Sequence, residues 1–499
     1  MSLAAVIERH ARQTPYKTAL HFEGQDISYL QLWQGVEAAC VTLVEAGVKP
    51  GDRVAYLGLN DPAILVLLFA LARIGAILLP LNYRLAPSEL AAILAHAGAN
   101  RIVSDALHEA MARTLATGLN AAVMDSTLFQ HRLRGEPAGV ANEAAAVPAA
   151  TPALLVYTSG TTGKPKGALH TQAGLLANCV ASGDAHGFTG DDHVLTVLPM
   201  FHAGGLCIQT LPALCFGARV TIHTRFDPAA WLADVQRLRP SVSLLVPATL
   251  RAVLDQSAFA STDLSSLKLL NAGSSTIPAS QIAAFHARGI PVCQVYGATE
   301  TGPVSIYLKR DDAMQHAGSA GRAGVDVQVR LVDESGADVP DGQVGEIRVR
   351  APNVMARYWH DEGNASFVDG WFHSGDLAWR DKDGFYWVVG RSKDMIISGG
   401  ENIYPAEIEN LLAACPLVQD CAVVGQPDAK WGEAVVAVIV KRPGAALDAA
   451  GVMARLDGKL ARFKQPRRVV FAASLPKTAL GKIQKAELLA WLQQQMAEE

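Results

Sequence analysis

Along the first 104 residues the apolar positions switch repeatedly between helical spacing and short continuous runs. Residues 1–20 carry the helical period. His21 to Tyr29 alternates about Glu23-Gly24 and predicts a hairpin. Leu30 to Glu45 predicts a helix that stops at Gly47. GDRVAYLGLN (51–60) and GAILLPLN (75–82) are runs of strand length, and Asp61-Pro62 opens a helix between them. Ser88 to His96 reads as a helix and Arg101 to Ser104 as a strand. Strands alternating with helices predict a parallel sheet covered on both faces.

The segment Gly135 to Pro152 is rich in Ala and Pro and reads as a connector. ALLVYTS after it predicts a buried strand, and Thr171 to Ala181 a helix. HVLTVLP, GARVTIH, SVSLLVP, LKLLNAG and PVCQVYG are further strands, with a helix from Asp227-Pro228 through Leu238. From Gly318 to Gly390 the texture changes to short alternating runs (VDVQVRLVD, GEIRVR, FYWVVG) parted by Asp-Gly and Gly-rich turns, which predicts a β-rich region. Beyond Lys393 a second, smaller unit follows. It holds the helix YPAEIENLLAA, the strands CAVVGQP and AVVAVIV, and helices near 448–461 and 484–496. The predicted class is α/β, with residues 1–392 as a large N-terminal domain, a β-rich subdomain at 317–390, and an α+β C-terminal domain at 393–499.

Composition narrows the function. A chain of 499 residues exceeds one ordinary core. A net charge of −4 gives no basic footprint for nucleic acid. The longest apolar run, Ala63 to Pro80, is interrupted by Arg73 after about ten residues, short of the roughly 20 a membrane span needs. No transmembrane segment is expected, and peripheral membrane contact is left open. Seven scattered cysteines without metal-ligand spacing, and an N-terminus without a secretory pattern, predict a cytoplasmic enzyme with reduced thiols.

Candidate chemistry collects in five places. YTSGTTGKPKGALHT (157–171) surrounds Gly160 and Gly163 with Thr158, Ser159, Thr161 and Thr162, then adds Lys164 and Lys166. Glycines admit close approach of backbone N–H groups to an anion, and hydroxyls and a lysine add donors. The usual NTPase loop is excluded, because only Thr161 and Thr162 part the two glycines and Pro165 stands where that motif needs a hydroxyl. QVYGATET (294–301) offers the flat face of Tyr296, the bare backbone of Gly297, the hydroxyl of Thr301 and, in Glu300, a hard oxygen for Mg2+. WFHSGDLAWR sets Asp376 in a Ser-Gly-Asp turn. GRSKDMIISGGENIYPAEIE (390–409) places Arg391 and Lys393 before Gly399-Gly400. LPKTALGKIQK sets Lys482 after Gly481. Outside these five, PMFHAGG adds His202 at a strand end.

In this order and spacing, the five motifs resemble the adenylate-forming superfamily across nearly the whole chain: acyl-CoA synthetases, aryl-CoA ligases, adenylation domains and luciferase. The likeness is to bacterial fatty-acyl and feruloyl-type CoA ligases. It implies an acid–thiol ligase with ATP, Mg2+ and coenzyme A as cofactors and a small carboxylic acid as substrate. By resemblance, residues 158–162 and Lys166 cradle the phosphates, and Glu300 holds Mg2+. Thr301 touches the α-phosphate. Ser275, Tyr296 and Gly297 border adenine, and Asp376 and Arg391 take the ribose. Lys482 is the catalytic cation, Lys393 the hinge of a mobile C-terminal domain, and His202 a gate to the acyl pocket. Gly399, Gly400 and Glu401 line a pantetheine channel, and Lys464 and Arg467 meet the CoA phosphates. The implied acid is fatty, of medium or long chain. An aryl or phenylpropanoid acid is the alternative, and a carrier-loading enzyme or a non-catalytic nucleotide binder less so. Monomer and homodimer both fit. Two departures stand out: Gly273-Ser274-Ser275-Thr276 where many relatives carry Gly-Gly-Ala-Pro, and the small Ala298, which should enlarge the acyl pocket.

Overall fold

The computed structural model describes residues 2–130, 133, 147–158, 166–273, 277–361, 366–428, 430–478 and 481–498. Of the expected site residues, Ser159, Gly160, Thr161, Thr162 and Ser275 lie outside the described residues.

Two large sheets carry the N-terminal part. In the nine-stranded sheet six strands run parallel, in the order Thr18–Phe22, Arg219–Ile222, His193–Thr196, Val242–Leu245, Leu269–Gly273 and Val292–Tyr296. The seven-stranded sheet runs parallel from Ala122–Asp125 through Arg101–Ser104, Arg53–Leu57 and Ile77–Pro80 to Pro152–Thr158. One continuous core joins both. It includes Val54 and Val156 of one sheet, Val194 and Val220 of the other, and helix Pro62–Ile74, of which residues 62–72 are all buried. A helix apolar on every side belongs between layers rather than at a surface. Its start is set locally: Asp61 accepts from Ala63 N at 2.7 Å and Pro62 occupies the first turn.

Four expectations change. Helix Leu3–Gln13 is shorter than residues 1–20 suggested, because Thr14 and Pro15 end it and Thr18–Phe22 enters the sheet. Residues 166–171 are a strand that pairs antiparallel with Pro152–Thr158, and the helix expected over Thr171 to Ala181 begins at Gln172, capped by Thr171, and runs on to His186. Asp376 lies within the ten-residue strand Trp371–Arg380 and not in a free turn; Gly375, at φ 67°, accommodates an irregularity there. The helix expected near 448–461 spans only Ala449–Leu456, with Asp457-Gly458 following it.

The β-rich region is a five-stranded antiparallel sheet built on Gln328–Val332, Gly345–Arg350, Trp371–Arg380 and Tyr386–Arg391, with Phe367–Val368 at its edge. The C-terminal part has its own five-stranded sheet and cores on both faces of it. Ile408, Val423 and Val452 lie on one side, and Val424, Val438 and Leu488 on the other.

Candidate active site

Glu300 stands in the one-turn helix Thr299–Thr301, directly after the strand Val292–Tyr296. Both donors to its carboxylate come from the other large sheet. Thr158 Oγ1 donates to Oε1 at 3.2 Å and Tyr358 OH to the same oxygen at 2.7 Å. Oε2 has no protein partner among the described residues. A carboxylate with one oxygen pinned and one free suits a hard cation whose other ligands are phosphate and water. Lys166 lies over the Tyr358 ring at 5.0 Å, so its charge is held beside this pair. The loop is braced from behind: Met355 N donates to Glu300 O at 2.7 Å, and Asn353 Nδ2 to Thr301 O and Val304 O at 3.0 and 2.9 Å.

A Cβ at Gly297 would overlap the carbonyl of Pro303, so only glycine lets the chain fold this tightly. Thr301 is 1 % exposed, and its hydroxyl accepts from Ala298 N at 2.9 Å. That side chain is spent on the turn and faces inward.

Asp376 is held from both sides. Tyr296 OH donates to Oδ2 at 2.9 Å and Arg391 Nε to Oδ1 at 2.8 Å. Ser374 fixes the approach, accepting from Asp376 N at 3.0 Å and donating to Ile347 O at 2.6 Å. Each carboxylate oxygen keeps a further lone pair, the pattern required to accept two vicinal hydroxyls. Burial, with the Asp376 charge next, raises the Tyr296 phenol well above its usual pKa, so it stays a donor.

Lys482 reaches the same place from the C-terminal part. Thr478 N donates to Lys482 O at 2.7 Å, and Gly481 lies against Ala248 at the start of helix Pro247–Leu254. Arg442 Nη1 meets Asp255 Oδ1 of the large part at 3.8 Å. Desolvation, then the nearby Arg391 charge, lowers the Lys482 pKa, while Asp376 and Asp394 pull it back up. Lys393 is exposed in the single turn Ser392–Asp394 immediately after Arg391.

The coenzyme A candidates lie apart from this cluster. Gly399 and Gly400, at φ 64° and 84°, turn the hairpin between Ile396–Ser398 and Glu401–Ile403, and Glu401 is exposed. A Cβ at Gly400 would meet nothing within 4 Å, whereas one at Gly399 would meet Trp431 at 3.0 Å. The guanidinium of Arg467 stacks over that same Trp431 at 4.0 Å. Lys464 is tied to Glu407, at 2.8 and 3.0 Å. His202 sits beside Phe201, ring centroids 4.6 Å apart, with a buried Nε2 that has no hydrogen-bond partner among the described residues. Burial, then Arg84, pushes its pKa down to about 4, so it is neutral.

Sequence reasoning missed Tyr358, Asn353 and Trp431. Tyr358 is 58 residues from Glu300 and carries no local signal. Trp431 offered one: a tryptophan beside a lysine in an otherwise polar turn.

Residues 7–359 match the model of AMP-binding enzymes, and residues 407–482 that of the AMP-binding enzyme C-terminal domain. The chain belongs to the AMP-binding enzyme family. Within the family, an indoleacetate–CoA ligase of Aromatoleum aromaticum is 45% identical over 498 residues, covering 98% of both chains. A feruloyl-CoA synthase of an Amycolatopsis species is 42% identical over 488 residues, 96% of this chain and 97% of the relative. The crystal structure of the anthranilate CoA ligase AuaEII with anthranoyl-AMP has a TM-score of 0.91 at 27% identity, covering 98% of this chain and 97% of that one.

Proposed function

We propose that this family member is an ATP-dependent ligase that joins an aromatic carboxylic acid to coenzyme A. The carboxylate oxygen attacks the α-phosphorus of ATP, and pyrophosphate leaves. The CoA thiolate then attacks the acyl carbon, expelling AMP and leaving the thioester. The observation that carries the reading is the gathering of Lys482, Arg391, Asp376 and Glu300 at the carboxyl end of the strand Val292–Tyr296.

A carboxylate and a triphosphate repel, so the first step needs fixed positive charge where negative charge builds up. Lys482 and Lys166 supply it, and Asp376 and Arg391 orient the nucleotide. Glu300 Oε2 would hold Mg2+, which would supply positive charge against the phosphates. For the second step Lys482 must withdraw. Its place in the C-terminal part, which has a sheet and cores of its own, supports a C-terminal domain, residues 393–499, that turns about Lys393 and delivers the Gly399-Gly400 hairpin.

An aromatic acid replaces the fatty acid expected first. The full-length likeness to indoleacetate and feruloyl ligases supports this. Behind the Gly297 loop, Val295 and Val304 pack with Leu198, Ile208, Leu244 and Val246 in one buried cluster. Among the described residues no helix is long and apolar enough to cross a membrane, and all seven cysteines are buried and unpaired. The unpaired cysteines support a reducing compartment.

A panel of acetate, octanoate, palmitate, benzoate, indoleacetate and ferulate, scored by AMP release, tests the reading. Release of AMP and pyrophosphate with an aromatic acid, dependent on CoA for thioester, is the expected result. ADP and phosphate would remove the ligase, and fastest turnover of palmitate would restore the fatty acid.

A further inference from the structure

Gln209 is a buried amide with nothing to bond. It is 2 % exposed, and neither Oε1 nor Nε2 has a hydrogen-bond partner among the described residues. It lies in the π-helical turn Leu206–Thr210, between the short helices Ala203–Gly205 and Leu211–Cys215. Such turns widen a helix locally and recur at functional sites. The side chain lines a cavity of about 10 Å³, room for one water-sized group. The two hydroxyls on the same wall are already spent: Thr196 and Thr210 bond each other at 2.8 Å, and Thr210 donates to Gly205 O at 2.7 Å. An amide left unpaired in such a place carries its full desolvation cost, and a leucine of similar size would carry none.

The cavity borders the aliphatic cluster behind the Gly297 loop. Leu198 and Leu244 line it, and both also belong to the aliphatic cluster with Val295 and Val304 behind the Gly297 loop. Ile208, the preceding residue of the same turn, packs into that cluster, and His202 begins the segment.

We propose that Gln209 is a specificity-determining residue that reads one hydrogen-bonding atom, a ring N–H or a phenolic hydroxyl, at the end of the aromatic acid remote from its carboxylate. The proposal rests on the aromatic-acid reading above. Oε1 accepts from either group, and Nε2 donates to a hydroxyl oxygen. That polar atom enters the small cavity, and the ring lies against the aliphatic cluster. A site built to bond a polar atom discriminates strongly against the analogue lacking it, because its own polar group is then left unpaired.

The test uses the full-length enzyme, wild type and Gln209→Leu, on two matched pairs: 4-hydroxycinnamate against cinnamate, and indole-3-acetate against naphthalene-1-acetate. The wild type should favour the polar member of at least one pair by about tenfold or more in kcat/KM. Gln209→Leu should bring that ratio near one, with the apolar member turned over at least as fast as before. Thermal unfolding of the variant should match or exceed the wild type, and Gln209→Met repeats the comparison should the leucine fail to fold. An equal ratio in both proteins, whether from a shared preference or from none, overturns the proposal and leaves Gln209 a partner of fixed water. Failure of the wild type to release AMP with any of the four acids overturns the aromatic-acid reading instead.

Discussion

Arg391 Nε donates to Asp376 Oδ1 across 2.8 Å, and the two are register partners on neighbouring antiparallel strands. The pair is thus positioned by the sheet and not by a loop. Its geometry exists before nucleotide arrives, with Tyr296 closing the other carboxylate oxygen. Pre-formed recognition of this kind spares the nucleotide the cost of ordering its own receptor.

Asp376→Ala should therefore act on nucleotide binding. Charge-assisted hydrogen bonds are worth about 1.5–3 kcal/mol each. KM for ATP in acid-dependent pyrophosphate exchange should rise about 10- to 100-fold, while KM for the acid changes little. An unaltered KM for ATP would separate Asp376 from the ribose.

Lys482→Ala should lower acyl-AMP formation on the order of 100- to 1000-fold, by analogy with one lost oxyanion donor. Thioester formation from supplied acyl-AMP should persist. Equal loss in both half-reactions would defeat the idea that Lys482 serves only the first. The wild-type first step should also fade on the alkaline side, because the ammonium is the active form. Burial lowers this pKa, so the loss should set in below the usual lysine value of 10.5 and be absent in the variant.

Tyr358→Phe removes one of the two donors that pin Glu300 Oε1. The carboxylate should then sample more orientations, and the Mg2+ concentration for half-maximal rate should rise about 3- to 10-fold, for a bond of roughly 1 kcal/mol. Saturating Mg2+ should restore most of the rate. A fall in kcat with the Mg2+ dependence unmoved would leave Tyr358 a packing residue.

Substitution at Gly400 needs care, because φ 84° strains any branched or bulky residue whatever the space around it. Asparagine tolerates that conformation. Gly400→Asn should preserve pyrophosphate release and slow thioester formation, while the fold stays intact by thermal unfolding. Unchanged thioester yield would exclude the hairpin from the path of CoA.

Acid should unfold the protein early. Burial holds His170, His186, His193 and His202 near pKa 4, against 6.5 when exposed. Their folded pKa values are depressed, so the unfolded chain takes up protons first as pH falls below 6.5. Asp61 works the other way: burial raises it to about 6, and the folded chain binds that proton first. Four uptakes less one leave about three protons, a slope near 4 kcal/mol of unfolding free energy per pH unit around pH 5. Urea midpoints measured from pH 7 to 4.5 check this, and a flat profile would contradict the buried neutral imidazoles.

The parts legible in the sequence were those with local punctuation. Asp227-Pro228 through Leu238 predicted a helix that the structure begins at Pro228 and ends at Leu238, since the N-cap and first-turn proline act within four residues. Tyr296 and Asp376 stand out in the sequence because each lies beside glycine, where backbone must come close to something, and Glu300 because it lies between Gly297 and Gly302. The strand Lys166–Thr171 was hidden. Its pairing partners are Pro152–Thr158, across the phosphate loop, and Arg357–Tyr358, almost two hundred residues on. Nothing near Tyr358 announces that it meets Glu300; the contact exists only because two sheets are folded edge to site. Thr301 misled for the opposite reason, as its hydroxyl satisfies a local backbone demand that spacing alone does not reveal.

That two-residue strand, Arg357–Tyr358, has a practical corollary. It clasps the return limb of the phosphate loop while sitting close to the far end of the chain segment matched by the larger family model. Anyone exchanging segments between relatives to graft a new acid preference would find the natural seam misplaced by a handful of residues. A crossover just upstream of Arg357 marries one parent's loop to another's clasp, whereas one just downstream of His360 keeps them together.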